Sequence, residues 1–188
     1  IAMAVNKLSR KIKHPLEGSN IDPGSNQSDT DVSFHPFQIE KVFDGLKQHG
    51  IDDVECELIP IAQGDSDKLL QRLSLEITHG NLIGLGVMGL PWVNNIQKIP
   101  QAKATDQHIV LVNGIKETQG KKELHIVDPF RASPPLDFVA FDSIFPYLTV
   151  TINSRMQRML GVPQQIEMPQ SFVEPRGNYY LIEVYKHK

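Results

Sequence analysis

The sequence predicts an α+β domain, and three observations carry that prediction. Helical periodicities come first along the chain, apolar runs with period-two alternation follow, and strand and helix patterns never settle into the regular βαβ order of a parallel sheet. The expected architecture is therefore N-terminal helices packed on a mostly antiparallel sheet. A chain of 188 residues suits one domain with a full hydrophobic core, so we expect a single domain over 1–188.

The first element is an amphipathic helix over 1–13, with Ile1, Val5, Leu8 and Ile12 at helical spacing and Lys7, Arg10, Lys11 and Lys13 on the other side. His14-Pro15 ends it. It begins as the inside of a helix, with no initiator Met and no cap, so we expect further residues upstream of Ile1. Residues 15–35 are dense in turn formers and read as a long loop. A second helix is expected over 37–48, with Ile39, Val42, Phe43 and Leu46 on one face and Gly50 as its stop. Residues 54–61 alternate as a strand. Ser66 can cap a helix to Thr78, closed by Gly80. The run 82–88 is apolar almost throughout and suits a buried central strand. Residues 91–105 form a connection holding the one Trp, Trp92. Strands are expected at 108–113 and 123–128, joined by a polar hairpin loop over 114–122. A helix-like run covers 137–147, and a short helix follows from Ser154 to Leu160. A Pro-rich surface arm spans 162–177, and 178–185 alternates as the last strand.

Composition narrows the function classes. Nineteen Lys and Arg against 22 Asp and Glu give a net charge of −3 without long blocks of one sign, which speaks against a nucleic-acid or anionic-membrane partner. No apolar run approaches the roughly 18–20 residues of a membrane span. The single Cys56 excludes an intrachain disulfide framework and a thiolate-rich metal site within these residues. That suits a cytoplasmic protein, or a secreted one without disulfides. The histidines His14, His35, His49, His79, His125 and His187 show no metal-ligand spacing, and we expect neither metal nor cofactor.

The segment that points to chemistry is Gln107-His108-Ile109-Val110-Leu111-Val112-Asn113-Gly114, followed by Leu124-His125-Ile126-Val127-Asp128-Pro129. A symmetrical hairpin across that loop sets position 112 against 124, 110 against 126 and 108 against 128. His108 and Asp128 then lie opposite each other at the end of an apolar face, with Cβ atoms about 5 Å apart. An imidazole backed by a carboxylate is what a thiol or hydroxyl nucleophile needs: the base takes its proton and the acid fixes tautomer and orientation. Cys56, flanked by Val54 and Leu58 on its strand, reads as an inert, half-buried thiol. A cysteine just upstream of Ile1, at the N-terminus of the first helix, is the better nucleophile, because the helix dipole and free N–H groups lower a thiol pKa there.

These residues resemble a family. Ile1-Ala-Met-Ala-Val-Asn-Lys-Leu8 is similar to the helix that follows the catalytic Cys-Gly-Pro-Xaa of papain-like cysteine peptidases of the double-glycine leader-processing type, and to the matching helix of phytochelatin synthases. His108 and its β run resemble the catalytic His strand of both, and Ile126-Val127-Asp128-Pro129 their Asp-Pro strand end. The phytochelatin synthase likeness gains from the interval of about 110 residues between helix start and His108, and from Arg131 and Pro134-Pro135 after the Asp. The resemblance implies a papain-like fold and a Cys-His-Asp triad acting on a peptide-type amide, with His108 and Asp128 in the chain and the Cys, like the oxyanion-hole Gln, before Ile1. It implies as substrate a peptide or protein, or a γ-glutamyl peptide to be transferred; glutamine deamidation uses the same chemistry. The alternative is an inactive papain-like domain that binds a peptide or protein partner.

Trp92 and Asn94, just before the His strand, and Gln107 beside His108 are candidate walls of a substrate cleft, although a loop Trp such as Trp92 more often serves packing. Gly84-Leu85-Gly86-Val87-Met88-Gly89 matches the dinucleotide-binding glycine pattern, but no helical period follows it, so we expect close backbone packing in a central strand or room for a bound chain instead.

Overall fold

In the computed structural model, the described residues are 2–13, 39–62, 64–88, 92, 94–96, 98, 107–128, 136–148, 150–151 and 178–186. The expected helix over 154–160, the arm over 162–177 and the loop over 15–35 lie outside them. The chain is α+β, with helices against an open antiparallel sheet.

The first helix, α1 (Ala2–Leu8), is shorter than its periodicity predicts. The Asp53 carboxylate accepts from the Ser9 hydroxyl and, at 2.7 Å, from the Arg10 amide, while Lys11 pairs with Asp52. This tertiary capture of the chain ends the helix where local propensity would extend it. Helix α2 (Ile39–Gln48) buries Val42 and Leu46 completely and stops at Gly50, which adopts the positive φ of 75° expected of a helix-ending glycine.

Strand β1 (Val54–Ala62) leads to α3 (Ser66–Thr78). Its cap is Asp65, whose side chain accepts from the Lys68 amide at 3.2 Å; Ser66, the expected cap, is the first helical residue. The helix closes through Gly80, with the Asn81 amide returning to the Glu76 carbonyl. Strand β2 (Leu82–Met88) follows, then β3 (Gln107–Thr118) and β4 (Lys121–Val127).

The polar stretch expected as a hairpin loop is strand. The turn is only Gln119-Gly120, both at positive φ (52° and 75°), which is the two-residue geometry that matches strand twist. The charged residues of this projecting ribbon pair across it, Lys116 with Glu123 and Lys122 with Glu117, so their polarity marks solvated strands rather than a loop. The expected helix over 137–147 is also corrected. Strand β5 (Leu136–Ala140) comes first and pairs Leu124 of β4 with Val139, and only then do a short α4 (Phe141–Ile144) and a 3₁₀ turn (Phe145–Tyr147) form. The partner-seeking edge of β4 overrides the helical spacing. Strand β6 (Val150–Thr151) and the final β7 (Asn178–Lys186) complete the sheet.

The strand order is β1-β7-β2-β3-β4-β5, with β6 also pairing β7. The last strand is thus inserted between β1 and β2. One face carries Leu69 and Leu73 of α3 with Ile83, Leu85, Val110, Val112, Leu124, Ile126, Ile144 and Leu181. The other carries Ala4, Val5 and Leu8 of α1 and Val42 and Leu46 of α2 against Val54, Cys56, Leu111, Ile182 and Val184. Residues 84–88 of the glycine pattern lie on β2. A Cβ on Gly84 would stand 3.2 Å from Ile109 and 3.4 Å from Ile182, so this glycine lets side chains of both neighbouring strands close over β2.

Candidate active site

His108 stands near the start of β3, level with Val87 at the end of β2, and Asp128 follows the last residue of β4. The two are joined: His108 Nε2 lies 2.7 Å from Asp128 Oδ1. The Asp128 side chain is fully buried and that of His108 is 16% exposed, so the carboxylate is sealed and the imidazole keeps an edge to solvent.

The expected register is corrected by two residues. Val112 faces Ile126 and Leu111 faces Val127, which places Val110, not His108, level with Asp128. His108 therefore reaches Asp128 diagonally, within range of a long side chain. An even shift keeps both groups on the face of Val110 and Val112, so the pairing survives. What secures that face is a β-bulge at Asn113. Gly114 faces His125 and Val112 faces Ile126, leaving Asn113 as an extra residue on β3. An uninterrupted hairpin on the Gln119-Gly120 turn would set Leu111 against Asp128 and turn His108 to the opposite side. Asn113 Oδ1 contacts His125 Nδ1, and Gly114 gives the room, since a Cβ there would lie 3.1 Å from the His125 Cβ. His125 thus faces away from Asp128, as its position in the strand predicts, and stacks at a tilt on Phe138 with centroids 5.4 Å apart.

The bulge yields a counterintuitive expectation. Deleting Asn113 should preserve every cross-strand partner below it, keep the His108–Asp128 bond, and cost about 1 kcal/mol for the lost Asn113–His125 contact. Loss of that bond in a folded deletion variant, seen by imidazole NMR, would refute this account of the register.

Trp92 does not wall an open cleft. It is fully buried, and its Nε1 donates to Asp128 Oδ2 at 2.7 Å. It sits in a helical turn closed by the Ile96 amide on its carbonyl at 2.9 Å. Asn94, two residues on, is exposed; the Gln107 side chain lies outside the described residues, and its backbone pairs with Met88. Cys56 lies on β1, separated from β3 by β7 and β2, and it faces the other core. Burial pushes its thiol up to about 12, so it is a core group and no nucleophile near neutral pH. The buried face of α1 also packs on the sheet side opposite His108, because Ala4, Val5 and Leu8 complete the core shared with α2.

Sequence reasoning missed a second buried polar cluster. Glu76 of α3 and Glu183 of β7, each 5% exposed, share the Asn81 amide, whose Nδ2 donates to Glu76 Oε2 at 2.9 Å and Glu183 Oε1 at 2.8 Å. Arg72 bridges their other oxygens. Its Nη2 lies 3.0 Å from Glu183 Oε2, and its Nε lies 2.8 Å from Glu76 Oε1, an ion pair by distance although the N–H is not aimed as a hydrogen bond. An open cavity of about 710 Å³ borders Glu183 and Asn81 and is rimmed by Leu8, His79, Tyr185 and Lys186. The readable signal was a Glu at the next position of the Leu69-Leu73 stripe.

Among the described residues, no cluster of three His, Cys, Asp or Glu could hold a metal, and no helix is long and apolar enough to cross a membrane. No family model, curated protein or solved structure matches the chain. Fold and site define an α+β protein with an antiparallel sheet and a Trp-Asp-His hydrogen-bond chain, running from a buried indole to a partly exposed imidazole, at one sheet end.

Proposed function

We propose that His108 and Asp128 are the base and orienting acid of a papain-like thiol hydrolase or acyltransferase acting on a peptide-type amide, with the thiol supplied by the segment that precedes Ile1. The observation that carries this reading is the 2.7 Å Nε2–Oδ1 bond between a sealed carboxylate and a partly exposed imidazole. Because Asp128 holds Nε2, proton transfer runs through Nδ1. In the attacking step the thiolate adds to the amide carbonyl and the imidazolium gives its Nδ1 proton to the leaving amine; water, deprotonated by the same nitrogen, then hydrolyses the thioester. Asp128 stabilises the imidazolium throughout. An amine in place of water gives transfer, the outcome expected for a γ-glutamyl peptide, and a glutamine side chain as substrate gives deamidation.

One observation favours a second reading. With α1 packed on the sheet face opposite His108, a thiol leading directly into that helix lies across the sheet from the base. A domain with this arrangement binds a peptide or protein partner without chemistry. Alkylation by iodoacetamide decides between them in the protein carrying its natural upstream segment. The hydrolase reading expects a thiol other than Cys56 that reacts at least about tenfold faster than a free cysteine near pH 6, and slows in His108→Ala. Uniformly slow thiols, indifferent to His108, would leave only the binding domain.

A further inference from the structure

We infer that Trp92 is a positioning residue for His108, acting through Asp128; the inference rests on reading the His108–Asp128 pair as an acid–base unit. An indole N–H can only donate, so its natural partner is an acceptor oxygen, and a carboxylate oxygen is the strongest one in the core. Trp92 Nε1 and His108 Nε2 each stand 2.7 Å from a different oxygen of the same carboxylate. With both oxygens held, the carboxylate plane is fixed. The neutral imidazole is then confined to the tautomer with its proton on Nε2, which presents Nδ1 as the acceptor for a nucleophile's proton.

The indole is itself immobile. It is fully buried in the core that holds Val87, Val110, Ile126 and Leu148, all from elements meeting at this end of the sheet. A residue serving packing alone would not need its one polar atom aimed at the single buried carboxylate beside the histidine. The chain of contacts runs from a rigid donor to a sealed acid to a partly exposed base. That order gives a reason for a Trp, rather than a Phe or Leu of comparable bulk, at this position.

The substitution Trp92→Phe removes the donor and keeps most of the volume. Long-range ¹H–¹⁵N spectra of the histidine rings should show one Nε2–H tautomer for His108 in the unsubstituted protein. In the variant they should show a tautomer mixture and a titration midpoint displaced by about half a pH unit or more. An unchanged tautomer and midpoint in a folded variant would overturn the inference. A second measurement needs no substitution: the Nε1–H resonance of the single Trp should titrate with the His108 midpoint, and an indole signal that ignores that midpoint would overturn it equally. Both readouts are independent of any activity. Absence of a fast thiol with a displaced tautomer sinks the hydrolase reading and leaves Trp92's role standing; a fast thiol with an undisturbed tautomer does the reverse.

Discussion

Asp128→Ala should destabilise the protein by about 2–4 kcal/mol, read as a lower urea midpoint at unchanged slope. The carboxylate is fully buried and accepts from two donors, Trp92 Nε1 and His108 Nε2. Removing it strands the indole N–H in the core, where water has no access, and such an unmade bond costs about 1–3 kcal/mol. The imidazole loses less, since its exposed edge lets the ring turn toward solvent. Asp128→Asn separates stability from chemistry. An amide of the same shape can accept through its oxygen from only one of the two donors, and whichever it serves, its NH₂ faces the other. The fold should lose about 1–2 kcal/mol. Under the proposed mechanism, turnover should fall by about 10²–10⁴, because the amide neither selects the Nε2–H tautomer nor stabilises the imidazolium. Activity in Asp128→Asn equal to that of the unsubstituted protein would remove Asp128 from the mechanism whatever the stability result.

The elements governed by short-range rules were legible. Helix α3 and strand β2 follow from an apolar stripe at helical spacing and a nearly continuous apolar run, and the glycines at 50 and 80 stop their helices with positive φ. The α+β class follows from the same patterns. Legibility ended where a tertiary contact decides the outcome. The end of α1 is set by Asp53, 43 positions away from the Arg10 amide it accepts from, and no local rule anticipates that. The β3–β4 hairpin was misread because cross-strand ion pairs let charged residues live in strands, and the run after Pro135 because an unpaired edge of β4 claims it first. At the site, residue identities were readable but the register was not. His108 and Asp128 meet because two departures cancel: a shorter turn than expected, and a bulge at Asn113 that restores the shared face. Trp92 was visible as the only Trp, yet its partner lies 36 positions on.

Stability should also fall as pH rises from about 4.5 to 7, and the cause is the buried pair Glu76–Glu183. Two carboxylates flank one Asn81 amide and one guanidinium, Arg72, so full ionisation leaves an excess negative charge inside the protein. Burial first, then the Glu76 neighbour, pushes the Glu183 carboxyl up from an ordinary 4.5 to about 7, whereas the hydrogen bond shared with Glu183 first, then the Asn81 and Arg72 contacts, hold Glu76 below its ordinary value against the burial that would raise it. The pair thus keeps one proton to near neutrality. The folded state binds the Glu183 proton more tightly than the unfolded chain does. Its contribution is therefore complete below about 4.5 and is lost as pH climbs through 7, with a total on the order of 3 kcal/mol. Glu76 has the opposite sign: its contribution is present above 4.5 and disappears toward acid, so the pair is most stabilising near pH 4.5–5. Glu183→Gln mimics the protonated carboxyl. Urea unfolding between pH 4.5 and 8 should show a decline in the unsubstituted protein and a nearly flat profile in the variant, which becomes the more stable of the two at pH 8. His79 places its Nδ1 3.9 Å from Glu76, so His79→Gln in both backgrounds takes that imidazole out of the comparison. An equal decline with and without the Glu183 carboxyl would assign the slope elsewhere. The consequence reaches the fold through β7: Glu183 sits on the strand that binds both β1 and β2, so its proton ties α3 to the middle of the sheet.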